Sequence, residues 1–134
     1  MLKQLSIYAE NKKGALQTMT NALYEAGINI WGSVTNDGAE YGISRMVVSD
    51  PDKPKEVLTE KGYLCRFVDV LAVEIEDKPG SLNTLLTALL DSNVNVDYTY
   101  LSFNRDSSTP VMILHTADPE EVEICLKAKG FKMV

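Results

Sequence analysis

The chain is poor in the groups that most catalytic centres are built from. It has one histidine, His115, and two cysteines, Cys65 and Cys125, among 134 residues. A structural zinc site takes about four Cys, His or carboxylate ligands at close spacing, and no such cluster stands here, so no metal is expected. The cysteines lie far apart and read as small apolar packing residues in a reducing cytosol. His115 falls inside a predicted strand with no identifiable partner, so it reads as a packing residue, and no catalytic residue is assigned. There is no Gly-x-x-x-x-Gly-Lys and no Gly-x-Gly-x-x-Gly, which removes the usual phosphate cradles and leaves no cofactor to expect. No apolar run approaches the eighteen or so residues of a membrane span, and no long apolar core follows a basic start as in a secretory signal. A cytoplasmic protein without membrane contact is the expectation.

Basic clusters are missing too. The net charge is −6, and it is unevenly spread. Residues 1–68 carry eight Lys/Arg and eight Asp/Glu, whereas residues 69–134 carry five and eleven. A nucleic-acid binder needs a basic face to displace phosphate counterions, so that partner is excluded. Glu120, Glu121 and Glu123 read as a solvated helix face that complements the helix dipole.

What the chain does have is repetition. Glu10-Asn11-Lys12-Lys13-Gly14-Ala15-Leu16 returns as Glu76-Asp77-Lys78-Pro79-Gly80-Ser81-Leu82, and Ala26-Gly27-Ile28-Asn29-Ile30 returns as Ser92-Asn93-Val94-Asn95-Val96, both 66 residues on. A third match, Asp50-Pro51 with Asp118-Pro119, has an offset of 68. The extra length is assigned to the loop Asn104-Arg105-Asp106-Ser107-Ser108. The boundaries follow as 1–68 and 69–134. A unit of about 66 residues buries only about 60% of its unfolded surface and is marginal alone.

Each copy reads in the same order. Leu5-Ser6-Ile7-Tyr8-Ala9, and Leu71, Val73 and Ile75, alternate as half-buried strands. A glycine loop follows, then a helix with Leu16, Met19 and Leu23, or Leu82, Leu85 and Leu89, at helical spacing. Gly27 and Asn93 are placed to end these helices in the left-handed conformation. Second strands are expected from Ile28 to Thr35 and from Val94 to Phe103. Asp37-Gly38 signals a tight turn into a strand from Tyr41 to Ser49, and Pro110 to Thr116 is the matching strand. Its run Val111-Met112-Ile113-Leu114 suits a strand buried on both faces. A short helix begins after Asp118, with Pro119 first and Glu121 completing a capping box. Last come strands Tyr63–Val68 and Phe131–Val134, with Val68-Asp69-Val70 as the joint between copies. The fold class is α+β: two ferredoxin-like βαββαβ units packed side by side, with antiparallel sheets and the helices on one face.

The chemistry lies in the repeated loop. The first N–H groups of a helix lack intrahelical partners and sit at its positive end. A glycine there lets a small anion, such as a carboxylate, approach the main chain. A glycine that merely shapes a turn is the plainer reading. Asn29 and Asn95 can both donate and accept, or serve as turn amides. Trp31, Tyr98, Tyr100 and Phe103 lie on or after the second strands, where they would line a pocket, an interface or the core.

Asp77-Lys78-Pro79-Gly80-Ser81-Leu82, then Leu85, Leu89 and Asn93-Val94-Asn95-Val96, resembles the signature of the ACT domain family, and Gly14-Ala15-Leu16 with Gly27-Ile28-Asn29-Ile30 is similar. The resemblance spans essentially the whole chain as two tandem copies. It implies a ferredoxin-like module that binds an amino acid where two units meet and regulates a metabolic enzyme, as a homodimer. Carried over, it implicates Asn11, Gly14, Ala15, Leu16, Asn29 and Ile30 in the first copy. In the second it implicates Asp77, Gly80, Ser81, Leu82, Asn95 and Val96. Copy one departs from the pattern: Asn11 replaces the acid and Lys13 the proline, which would loosen its loop. The alternative the resemblance implies is a subunit held by a larger amino-acid biosynthetic enzyme, like the acetolactate synthase small subunit. A small transferase would need a base beside the loop, and none is found.

Overall fold

The structure, a computed structural model, describes residues 1–37 and 41–134, with the backbone alone for Asp37. The expected Asp37-Gly38 turn therefore lies outside the described residues. The elements run β1 (Leu2–Glu10), α1 (Ala15–Glu25), β2 (Ile30–Asp37), β3 (Tyr41–Val48), α2 (Asp52–Glu60), β4 (Leu64–Glu74), α3 (Ser81–Asp91), β5 (Tyr98–Phe103), β6 (Pro110–His115) and α4 (Pro119–Ala128). Contacts divide the chain into two units. One is Lys3–Val68, and the other is Asp69–Val134 with Met1–Leu2.

In the first unit β3 is the strand between β2 and β1, and both pairings are antiparallel. Leu5 faces Met46 and Ile7 faces Ser44 across the β1–β3 ladder. Because side chains alternate along a strand, this register puts Leu5, Ile7, Met46 and Val48 on one face. Met19, Ala22 and Leu23 of α1 and Leu58 of α2 close over them as one core. Each of these side chains larger than Ala22, fully buried, contributes roughly 1.5–3 kcal/mol of hydrophobic free energy. The second unit repeats the plan, with β6 between β4 and β5. Its core joins Leu71, Val73, Met112 and Leu114 to Leu85 and Leu89 of α3 and Val122 and Leu126 of α4. All four of Val111, Met112, Ile113 and Leu114 are buried, as the unbroken apolar run requires.

The helix ends repeat as faithfully as the cores. Among the described residues, all four helices end with a left-handed residue, Gly27, Gly62, Asn93 or Gly130. In each, the next amide bonds back to a buried leucine carbonyl: Ile28 to Leu23, Tyr63 to Leu58, Val94 to Leu89 and Phe131 to Leu126, at 2.9–3.0 Å. This is the Schellman pattern, in which the residue beyond the cap also packs on the residue it bonds. All eight of those side chains belong to, or pack on, the two cores.

Four expectations need correction. Tyr63–Val68 and the strand through Leu71 are not two strands with a joint. They are the single strand β4, because Val68-Asp69-Val70 holds no Gly or Pro to break it. Phe131–Val134 does not form a full strand; a single bridge, Val73 to Met133, stands in its place. The second strands start later than the apolar pattern suggests, at Ile30 and Tyr98. Asp118 does stand at the N-cap of α4, but its side chain makes no capping bond, so the expected capping box is not formed.

Candidate functional site

The glycine loops join β1 to α1 and β4 to α3, and they are the same structure made twice. Gly14 has φ 83° and ψ −5°, and Gly80 has φ 87° and ψ −6°. This left-handed region disfavours any residue with a Cβ. A Cβ built on either glycine would meet nothing within 4 Å. The glycines are therefore required by backbone conformation, and the space in front of them is open.

The hydrogen bonds repeat as well. The Lys12 amide donates to the Glu10 carbonyl at 3.1 Å, and that of Lys78 donates to Glu76 at 3.0 Å. The Ala15 and Ser81 amides donate back to the carbonyls of Lys12 and Lys78, at 3.1 and 3.3 Å. The Gly14 and Gly80 carbonyls each accept the amide and the hydroxyl of the threonine four residues on, Thr18 or Thr84. Lys12 pairs with Glu10 at 3.0 Å and Lys78 with Glu76 at 2.7 Å. The hydrogen bond and charge of Lys78 hold the Glu76 carboxyl below its ordinary 4.5. Lys13 in place of Pro79 has not altered the loop.

These bonds narrow the anion-binding reading. The Ala15 and Ser81 amides are spent inside the loops. The Leu16 and Leu82 amides, at the second helical position, have no carbonyl one turn back inside their helices.

Beside the first loop lies a cavity of about 260 Å³ whose lining includes Asn11, Ala15, Leu16, Met19, Thr35 and Ser44. Gly14 lines a separate hollow of about 480 Å³ with Lys12, Lys13 and Thr18. Thr35 and Ser44 escaped notice in the sequence, and their hydroxyls lie 2.8 Å apart. The available signal was Ser44 itself, a polar residue in phase with buried Met46 and Val48. Beside the second loop, Glu76, Lys78, Ser81 and Thr84 help line a cavity of about 370 Å³. The Ser81 hydroxyl is buried there without a hydrogen-bond partner.

The remaining expected residues do not line these two cavities. Asp77 and Gly80 are exposed on the loop surface, and Leu82 is exposed beside them. Ile30 and Val96 pack against the two cores. Asn29 is tied to Ser49 by two bonds, its amide to the Ser49 hydroxyl and the Ser49 amide to its carbonyl, both 3.0 Å. Asn95 lines a different cavity, of about 400 Å³, with Asp97, Thr116 and Asp118.

Two packing readings change. His115 has a partner: its Nδ1 lies 2.8 Å from Asp97 Oδ2, and its ring stacks on Tyr98 with centroids 5.0 Å apart. Asp97 sits 18 residues earlier, across the β5–β6 pair, a contact that strand register alone creates. The cysteines are half-buried rather than buried, and both are free. Burial pushes the Cys65 thiol above its ordinary 9.0, with the Lys55 charge opposing, which disfavours the reactive thiolate. Cys125 Sγ donates to Ser92 Oγ at 3.2 Å. Tyr100 is buried and Phe103 exposed. Among the described residues, no group of three His, Cys, Asp or Glu is placed to hold a metal ion, and no helix is long and apolar enough to cross a membrane.

A duplicated βαββαβ plan with a left-handed glycine before each first helix places the chain among tandem ferredoxin-like modules, and comparison with known proteins names the family. The family described as an ACT domain pair matches residues 1–133. The chain belongs to the ACT domain family, as a tandem pair. Among solved structures it is similar to protein BT0572 from Bacteroides thetaiotaomicron, at 29% identity and a TM-score of 0.90, covering 99% of this chain and 91% of that one. It shares its fold with the regulatory subunit of aspartate kinase from Thermus thermophilus, at 16% identity and a TM-score of 0.67, covering 94% and 88%. The corresponding subunit from Thermus flavus aligns at 18% identity and a TM-score of 0.59, covering 96% and 91%. No curated protein matches the chain.

Proposed function

We propose that this chain is a non-catalytic regulatory protein of the cytoplasm that binds an amino acid at its glycine loops and modulates a metabolic enzyme. The observation that carries the reading is the loop itself, built twice with the same φ, the same hydrogen bonds and the same Lys–Glu pair. Open space before both glycines leaves room for a ligand, but the helix-ending Gly27, Gly62 and Gly130 have the same space, so the repeated loop carries the reading and the space does not. In this reading the ligand carboxylate takes the Leu16 or Leu82 amide at the positive helix end. Asn11 in one loop and Asp77 in the other meet the ligand's ammonium group. Ala15 and Ser81 shape the loop floor, while Gly14 and Gly80 let the ligand reach it. A neighbouring ACT unit in a homodimer supplies Asn29 with Ile30, or Asn95 with Val96. Binding changes a partner enzyme only through a difference in affinity for its two states.

The test is calorimetry of dialysed protein against the amino acids, repeated on Gly14→Asn and Gly80→Asn. Asparagine tolerates the left-handed conformation, so these variants keep the fold while filling the space in front of the loop. A saturable ligand weakened by either variant supports the reading. Unchanged affinity in both would place the ligand elsewhere.

A second reading is a regulatory subunit held stably by a larger amino-acid biosynthetic enzyme. It is favoured by Leu82, Leu86 and Leu90, spaced four apart on one face of α3 and exposed at 38%, 36% and 75%. Contiguous apolar surface of this kind marks interaction sites more often than scattered residues do. Recovery of a stoichiometric enzyme with the tagged chain supports it, and recovery of the chain alone contradicts it.

A further inference from the structure

The second unit holds a cavity at the start of α4 whose Thr116, Asp97, Asp118 and Glu121 the amino-acid reading does not use, Asn95 being the one lining residue shared with it. We propose that this cavity binds the ammonium end of a small organic amine. Its floor contains Thr116, only 2% exposed, whose Oγ1 is buried and has no hydrogen-bond partner. Its exposed rim carries Asp97, Asp118 and Glu121, and no Lys, Arg or His lines it. Val94, Val122 and Cys125 form the less polar walls.

The internal repeat shows that this polarity is not demanded by the fold. At the offset of 68, Thr116 corresponds to Val48 and Glu121 to Lys53; at 66, Asp97 corresponds to Trp31. The ladders agree, since Tyr98 pairs with His115 as Gly32 pairs with Val47. Val48 is a core residue of the first unit, 4% exposed. The second unit therefore carries a hydroxyl where a methyl group packs in its sister. A buried, unpaired hydroxyl destabilises a fold, so its place here points to a partner that arrives from outside.

The charge pattern selects the partner. An ammonium offers three donors, and the cavity offers the Thr116 hydroxyl below and carboxylates at the rim. An anion would find only the α4 helix end, already countered by Glu120 and Glu121 in its first turn. A metal ion lacks the needed ligand cluster among the described residues. Asp97 is held in place, Oδ2 by His115 at 2.8 Å and Oδ1 by the Asn95 side-chain amide at 3.1 Å. Methylenes next to the ammonium would lie against Val94 and Val122.

The test is calorimetry with 1,4-diaminobutane, using succinate as a dianion of the same length. Four proteins are compared: the unaltered chain, Thr116→Val, Glu121→Gln and Gly80→Asn. The diamine is expected to bind the unaltered protein saturably and succinate is not. Thr116→Val should weaken the diamine by about tenfold or more, the scale of one hydrogen bond to a charged group, while the ligand-free melting temperature holds or rises. Glu121→Gln, on the exposed rim, should also weaken it. Gly80→Asn should leave it unchanged, which separates this site from the glycine loops. No saturable heat with the diamine, equal binding of succinate, or full affinity in Thr116→Val would overturn the proposal.

Discussion

Gly14 and Gly80 show what one residue can fix. Each holds a backbone conformation that costs most L-residues, asparagine and aspartate apart, about 1–2 kcal/mol, and that conformation turns strand into helix with the helix end facing open space. Both glycines were legible in the sequence, because a glycine at a predicted strand-to-helix junction has few other uses. The loop's internal bonding was not legible: that Ala15 and Ser81 spend their amides on Lys12 and Lys78 depends on φ and ψ, not on residue type. The proline next door gives a sharper prediction. Pro79 has no N–H, and the loop around Lys13 has the same geometry and bonds, so Lys13→Pro should fit without loss. It should stabilise the protein by about 0.4–1 kcal/mol, by restricting the unfolded chain. Denaturant titration reads this as a higher midpoint at unchanged slope. A lower midpoint would mean that the two loops differ in a way their bonds do not show.

At the scale of elements, stability rests on helix ends locked to cores. Leu126 is fully buried, and its carbonyl closes the α4 terminus by accepting the Phe131 amide. Leu126→Ala removes the side chain from the second core and the packing beneath Phe131, and should cost about 2–5 kcal/mol. A loss under about 1 kcal/mol would show the core collapsing around the gap. The same helix supplies a pH prediction. Glu123 accepts from Lys127 and from the Met1 ammonium, both at 3.0 Å. The Lys127 hydrogen bond chiefly, then the Met1 ammonium, lowers its carboxyl below the ordinary 4.5. A carboxylate lowered in the folded state stabilises the fold above its unfolded value, and that contribution is lost as the pH falls through the folded one. Glu123→Gln should therefore melt lower than the unaltered protein at neutral pH, with the gap closing as the pH drops well below 4.5. A gap that persists unchanged in acid would show that the pairing contributes nothing.

Elements were also where reading the sequence met its limits. Helix bounds came from apolar spacing and Gly punctuation, both local signals. Strand ends did not, because pairing decides them. Residues 28–29 and 94–97 are as apolar and alternating as the strands they precede, but they connect helix ends to ladders that start at Ile30 and Tyr98. That is why Asn29 and Asn95, expected at strand starts, are loop residues. The Asp97–His115 pair was hidden for the same reason.

For the whole molecule, duplication is the organising fact. Repetition marks what the architecture requires: cores, Schellman ends and glycine loops recur position by position. Differences between the copies mark what it leaves free, and these cluster at Asp97, His115, Thr116 and Glu121 in the second unit and at Asn11 and Lys13 in the first. The central claim is that the recurring loops bind an amino acid. It is tested most directly by calorimetry of ligand-free protein against the twenty amino acids, with melting followed in parallel. The account predicts saturable binding of at least one, a stabilisation of about 2.7 kcal/mol at a hundredfold excess over Kd, and weakened binding in Gly14→Asn or Gly80→Asn. Absence of heat and of any melting shift with all twenty at millimolar concentration would contradict it.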